Sequence, residues 1–244
     1  MIVARWGMLL VLTLAMFAAF GATVADMQPS ALRLLVTAVI GLLAPLSWPG
    51  NAATPVRTAL RIAAWSAAAA GLAAIALRLL GDPVQPFSRI FGSCAMLMLV
   101  LLVTHAVASA LEGRWRARSV DAEVAREMAG RTVTVALALL GSMPVWLGPL
   151  GELLSRRHAW IVDAVVGISP LTHLAVASGN DLLRNQWFYQ HSNLASLRFS
   201  YPALSELIVS YAAACLVLGA LAFRRPWHPP RPATPTHSTK EKTR

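Results

Sequence analysis

The sequence predicts an all-α protein, a polytopic transmembrane helical bundle of about six spans with re-entrant or interfacial helices before the last one. Three observations predict it. Of 244 residues, 57% are hydrophobic and only 13% charged, where a soluble domain carries about a quarter charged residues. Apolar runs long enough to cross about 30 Å of hydrocarbon recur along the chain. The net charge of +10 sits at the ends of those runs and in one tail, where basic residues orient membrane helices.

The first run covers 6–24, behind Arg5. Its apolar stretch is longer than the roughly 7–15 residues of a signal-peptide core. It reads as a retained helix, with cleavage after Thr23-Val24-Ala25 as the alternative. The second run, 31–48, carries Pro45 near its end, and Pro49, Gly50, Asn51 and Pro55 make a turn leading to Arg57 and Arg61. In the alanine-rich third run, 58–80, Ala63, Ala67 and Gly71 repeat at spacing four. Such a stripe of small residues lets helix backbones approach closely, within the bundle or against a second subunit.

Gly81, Asp82, Pro83 and Pro86 break the chain before the fourth run, 90–111. The segment 112–131 holds Arg114, Arg116, Arg118, Arg126 and Arg131 against Glu112, Asp121, Glu123 and Glu127. Val120, Val124 and Met128 recur there at helical spacing, which predicts a short amphipathic helix on the membrane surface. The fifth run, 132–151, is interrupted by Pro144 and Pro149. Region 152–202 opens with Glu152, Arg156, Arg157 and His158. An apolar stretch over 159–179 follows, and the region ends among Trp187, Phe188, Tyr189, Phe199 and Tyr201. The sixth run is 203–223. Residues 1–225 thus make one membrane domain, and the basic, proline-rich tail 226–244 is expected to be disordered, since it cannot bury a core.

Positive charge decides whether 159–179 crosses. If it does not, the cytoplasmic parts carry one basic residue at the N-terminus, two at 57 and 61, five in 112–131 and six in the tail. That is fourteen inside against seven outside. If it does cross, the split becomes eleven to ten, with the five-arginine segment outside. The first arrangement satisfies the positive-inside bias. Asp163 in the stretch adds a mid-bilayer cost of about 2.5–3.5 kcal/mol for a lipid-facing span. Region 152–202 is therefore expected to be extracytoplasmic, with one or two short helices that dip into the membrane or lie on it, and the C-terminus is expected in the cytoplasm. Broken backbone at membrane depth requires shielding by protein or a wet cavity.

Several chemistries are excluded. Lys240 and Lys242, both in the tail, are the only lysines. The membrane region therefore has no P-loop lysine and no Schiff-base lysine. The charges form no patch interleaved with aromatics, so nucleic acid is not an expected partner. Cys94 and Cys215 lie in separate apolar runs and read as small buried residues. No cofactor, metal or catalytic residue is predicted.

Polar residues at membrane depth are the functional candidates. They are His105 in the fourth run, Asp163, Ser169 and His173 in the 159–179 stretch, and Glu206 at the start of the sixth. Asp163 and His173, ten residues apart, are separated by about 80° of helix rotation and share no clean face, and Pro170 breaks any helix between them. Ser169 and His173 face the same way at i, i+4, which suits a local hydrogen-bonded structure better than a catalytic pair. Glu206 reads first as an interfacial residue.

The stretch Ile168-Ser169-Pro170-Leu171-Thr172-His173-Leu174-Ala175, leading into an aromatic outer loop and a final span, is similar to the end of the membrane permease subunits of ABC exporters of the second type. Six spans with cytoplasmic ends and short outer helices before the last span also resemble that family. The resemblance implies a transport subunit worked by a separate ATPase, in the bacterial inner (plasma) membrane, with homo- or hetero-oligomers possible. Such permeases dock the ATPase through a helix between the second and third spans, where this chain has only 49–57. Arg114, Arg116, Arg118 and Arg126 are the candidate cytoplasmic contact instead. A non-catalytic membrane scaffold and a membrane enzyme acting at the outer face through Asp163, His173 or His191 are the alternatives the residues leave open.

Overall fold

The computed structural model describes residues 37–42, 44, 55–79, 86–148, 153, 160–184 and 197–223. The expected span 6–24, most of 31–48, the aromatic stretch 187–189, His191 and the tail 226–244 lie outside the described residues. Among the described residues all regular structure is helical. The main helices are α1 (Pro55–Leu79), α2 (Phe87–Arg116), α3 (Ala122–Trp146), α4 (Trp160–Ile168), α5 (Pro170–Ser178) and α6 (Leu204–Phe223).

Three stretches, Thr58–Ile75, Phe87–Arg116 and Ala122–Trp146, are long and apolar enough to cross a membrane, and the α4–α5 pair makes a fourth if taken as one span. The protein is membrane-associated. Large apolar side chains such as Leu72, Phe91, Val135, Leu139, Val209 and Leu216 stand exposed on the outer faces of the bundle, as lipid-facing helices require.

α1 starts at Pro55, whose missing N–H costs nothing at the first helical position. Its buried face is Ala59, Ile62, Ala63, Ser66, Ala67, Ala70 and Ala74, turned toward α2. A Cβ on Gly71 would lie 3.3 Å from the Cys94 sulfur. The small-residue stripe therefore seats α1 on α2 of the same chain. α2 is the hub and packs against α1, α3, α5 and α6. Met96, Leu97, Val100 and Leu101 lie in one core with Ile62, Ala63, Leu174, Ala175, Ala177 and Leu207.

The charged segment departs from expectation. In place of a separate surface helix, α2 continues through Arg116, and α3 begins at Ala122 after one tight turn. Ser119 takes a left-handed conformation (φ 64°), and the Val120 N–H returns to the Trp115 carbonyl (3.3 Å). The Asp121 carboxylate then caps α3 by accepting from the N–H groups of Glu123 (2.8 Å) and Val124 (3.4 Å). The hairpin is closed by Ala125, Ala129 and Val133 on α3, with Ala129 and Val133 packed against Ala108 of α2. It is pinned by Glu112, which pairs with Arg116 on its own helix and with Arg126 across the turn (3.3 Å). Val124 and Met128 stay exposed.

α4 and α5, nine residues each, meet at an 80° bend. The sequence dictates the break. A residue before proline is pushed out of the helical region, and Ser169 is extended (φ −72°, ψ 117°) ahead of Pro170 at the first position of α5. Gly179 ends α5 in the left-handed conformation (φ 66°). The N–H groups of Gly179 and Asn180 return to the carbonyls of Val176 (3.0 Å) and Ala175 (2.9 Å), which is the Schellman arrangement.

Both arms of the pair lie at one end of the α2–α3 hairpin. At the start of α2, Arg89 donates to the Gly179 carbonyl (3.4 Å), and a Cβ on Gly92 would sit 2.8 Å from the Ala177 oxygen. Near the end of α3, Met143, Val145 and Leu147 pack with Val162, Val165, Val166 and Leu183. α6 begins at this same end, through a hydrogen bond from Ser200 to Asp163 (2.9 Å). The charged turn 117–121 is at the opposite end.

Candidate functional site

The bend gathers the polar candidates of the 159–179 stretch. Ser169, at the joint, is fully buried. As residue Ncap of α5 it would ordinarily turn its hydroxyl onto that helix's N–H groups. Instead it makes no such cap and donates to the Gly141 carbonyl of α3 (3.2 Å). Gly141 lies three residues before Pro144, a proline buried inside α3, which supplies no N–H to the carbonyl of the neighbouring Leu140. The bend is thus fastened to α3 where that helix is itself irregular.

His173 is buried on the first turn of α5. Its Nε2 lies 2.8 Å from the Gly167 carbonyl oxygen and its Nδ1 2.8 Å from the Tyr211 hydroxyl. A carbonyl only accepts, so the ring proton belongs on Nε2, and Nδ1 then accepts from the phenol. Gly167 is in the last turn of α4, where carbonyls lack intrahelical partners, and the imidazole satisfies one of them. The rings of His173 and Tyr211 meet edge-to-face, with centroids 5.5 Å apart at 82°. One side chain therefore touches α4, α5 and α6.

With both nitrogens engaged and the Ser169 proton given to Gly141, Ser169 and His173 form no nucleophile–base pair, which would require a hydrogen bond between them. Beside His173, Thr172 is fully buried and its hydroxyl has no hydrogen-bond partner.

The other candidates lie apart from this node. Asp163 is exposed on α4 and accepts from the N–H (2.9 Å) and hydroxyl (3.2 Å) of Ser200, which ties the segment before α6 to α4. Tyr201 donates to Asp181 (2.6 Å) and accepts from the Leu183 N–H (3.1 Å). Burial, reinforced by the Asp181 carboxylate, pushes the Tyr201 phenol well above its ordinary pKa. Arg184 lies over the Phe199 ring (5.7 Å), and Phe199 meets Tyr201 edge-to-face. Glu206 accepts from the Ala203 N–H (3.1 Å). It closes the start of α6 from its third position, as the glutamate of a capping box does.

His105 is half-buried on α2. It is thirteen residues beyond Gly92, about 20 Å of helix rise from where α5 crosses, so it does not join His173. Among the described residues, no group of three or more His, Cys, Asp or Glu side chains can hold a metal ion. Of the four candidate arginines, Arg116 and Arg126 are engaged with Glu112, while Arg114 and Arg118 point outward, exposed, at the hairpin tip.

No protein-family model, curated protein or solved structure matches the chain.

Tyr211, Gly167, Gly141, Ser200 and Asp181 were not singled out by sequence reasoning. Tyr211 did carry a signal: a phenol inside the last apolar run has an O–H that needs a partner when buried. The two glycine carbonyls carry none, since any residue offers that group.

Proposed function

We propose that the chain is a six-span membrane transport subunit, an ABC-exporter-like permease that works with a separate ATPase in the bacterial inner membrane. The observation that carries this reading is the path of the α4–α5 pair. It leaves the end of α3, bends by 80° and comes back to the start of α2, where Arg89 meets Gly179. A chain that departs and returns at one end of the bundle dips into the bilayer and leaves on the same side, between the last two long helices.

The hairpin tip at the opposite end, 112–131, carries five arginines, the densest cluster ahead of the tail, and the positive-inside bias makes that end cytoplasmic. α6 starts at the dip and runs away from it, a direction that supports a cytoplasmic C-terminus. Arg114 and Arg118, exposed at the tip, are then the residues offered to an ATPase.

The test is purification of the tagged full-length chain from its native membranes in mild detergent, with ATP hydrolysis and mass spectrometry of the bound subunits. A nucleotide-binding subunit should accompany the wild type and be lost from the Arg114→Glu/Arg118→Glu double variant. A wild-type chain that carries no ATP-hydrolysing subunit refutes the reading.

A further inference from the structure

The geometry points to the Tyr211–His173 hydrogen bond as the brace that holds the bent pair closed against α6, so that displacement of α6 opens the bend. This rests on the reading of α4–α5 as an outer dip and adds the contact through which the dip is held.

α6 rests chiefly on α2 and touches α5 lightly. Among its described side chains only Leu207 is buried, and Glu206, Ile208, Val209 and Ser210 around it are exposed. Tyr211, one turn further on, is half-buried and reaches His173 at 2.8 Å. Of the side chains of α6 itself, Leu207 and Tyr211 meet the dip along one stripe, and only the second makes a directional bond to it. That bond falls on the residue that already joins the arms of the bend, since His173 belongs to α5 and its other nitrogen holds the Gly167 carbonyl of α4 (2.8 Å).

The backbone at the joint contributes little of its own. Ser169 sends its hydroxyl to α3, Pro170 has no N–H, and the bond from His173 N–H to the Ser169 carbonyl is long (3.2 Å). Without the phenol O–H, the Nδ1 lone pair stays buried with no donor. The imidazole gains by turning toward water, and turning releases Gly167. A tilt of α6 has the same effect as loss of the hydroxyl. The piece uncovered is the first turn of α5, including fully buried Thr172.

The experiment uses the full-length chain in right-side-out vesicles, with Cys94→Ala and Cys215→Ala and one reporter, Thr172→Cys, exposed to a membrane-impermeant maleimide. Labelling should be slow with Tyr211 present and about tenfold faster in Tyr211→Phe, which keeps the ring and removes only the bond. A second reporter, Arg198→Cys on the exposed segment before α6, should react from outside at the same rate in both backgrounds. Equal Thr172→Cys labelling with and without the phenol O–H, while Arg198→Cys still reacts from outside, overturns the brace and leaves the outer dip standing. Arg198→Cys reacting only from the inside overturns both. If Tyr211→Phe does not accumulate, His173→Phe carries the test, because it preserves the ring contact and removes both hydrogen bonds. It should show the same acceleration, and an unchanged rate overturns the brace.

Discussion

Replacing Gly92 by alanine tests how α5 is seated on α2. The added Cβ would lie 2.8 Å from the Ala177 carbonyl oxygen and 3.7 Å from its carbonyl carbon. The obstacle is helix backbone, which cannot swing aside as a side-chain end can. Restoring an ordinary contact requires α5 to retreat by roughly half an ångström or more. The retreat carries Leu174 and Ala177 away from Met96 and Leu97, with which they share a core. Overpacking of this kind costs about 1–3 kcal/mol, and alanine returns about 1 kcal/mol in helix propensity. The expected net loss is ~0–2 kcal/mol.

Gly141 is the control, since nothing lies within 4 Å of a Cβ there. The same exchange should gain up to about 1 kcal/mol. The two variants should therefore differ by ~2 kcal/mol, or roughly 4–8 °C in Tm for a chain of this size. Thermal denaturation of the purified full chain in detergent, read as the loss of the monodisperse peak on size exclusion, measures the difference. A Gly141→Ala protein no more stable than Gly92→Ala refutes the packing described.

Asp163→Ala removes the acceptor of both Ser200 groups and should speed amide exchange at Ser200 about tenfold at a global cost near ~1 kcal/mol; unchanged exchange would show the tether to be idle. Tyr201→Phe strands the Leu183 N–H and should cost about 1–3 kcal/mol, so a loss under ~0.5 kcal/mol contradicts the bond. The wild type should also lose stability as pH rises above about 10, where tyrosines of the unfolded chain ionise while Tyr201 keeps its proton. A phenol pKa raised by folding stabilises below the unfolded value and ceases to do so above it. Denaturation midpoints taken between about pH 9 and 11 should fall less steeply in Tyr201→Phe, and equal slopes count against the assignment. Glu112→Gln loosens the hairpin tip by about 1 kcal/mol or less, because its pairs with Arg116 and Arg126 are only part-shielded from water. The difference from wild type should vanish in about 1 M salt, and a salt-independent loss would indicate another role for the carboxylate.

Local rules carried part of the structure. The break at Ser169 follows from the steric demand of Pro170 alone, and the end of α5 follows from Gly179. Helical class and apolar spacing were equally plain. The charged segment was misread because Val124 and Met128 on the exposed first turns of a long helix, with Val120 just ahead of it, show the same period as a separate surface helix. What distinguishes the two is the turn at Ser119, an unusual left-handed serine that no spacing reveals.

Around the bend, the type of interaction was legible and the partners were not. His173 was expected in a local hydrogen-bonded structure, and one bond does go to Gly167. The other crosses 38 positions to Tyr211, and Asp163 finds Ser200 across 37. Both depend on how helices are arranged in space. Glu206 closes its helix from the third position, but Ala203 stands where a capping box shows serine or threonine, so the pattern was invisible.

α2 is surrounded by helices of which three are translated after it. The seat at Gly92 is filled by Ala177, ~85 residues downstream, which is roughly 4–17 s of synthesis at 5–20 residues per second. During that interval the seat on the hub stands without its occupant. The bundle can close only after α5 has left the ribosome. Truncation anywhere before α5 therefore yields helices that have no finished core.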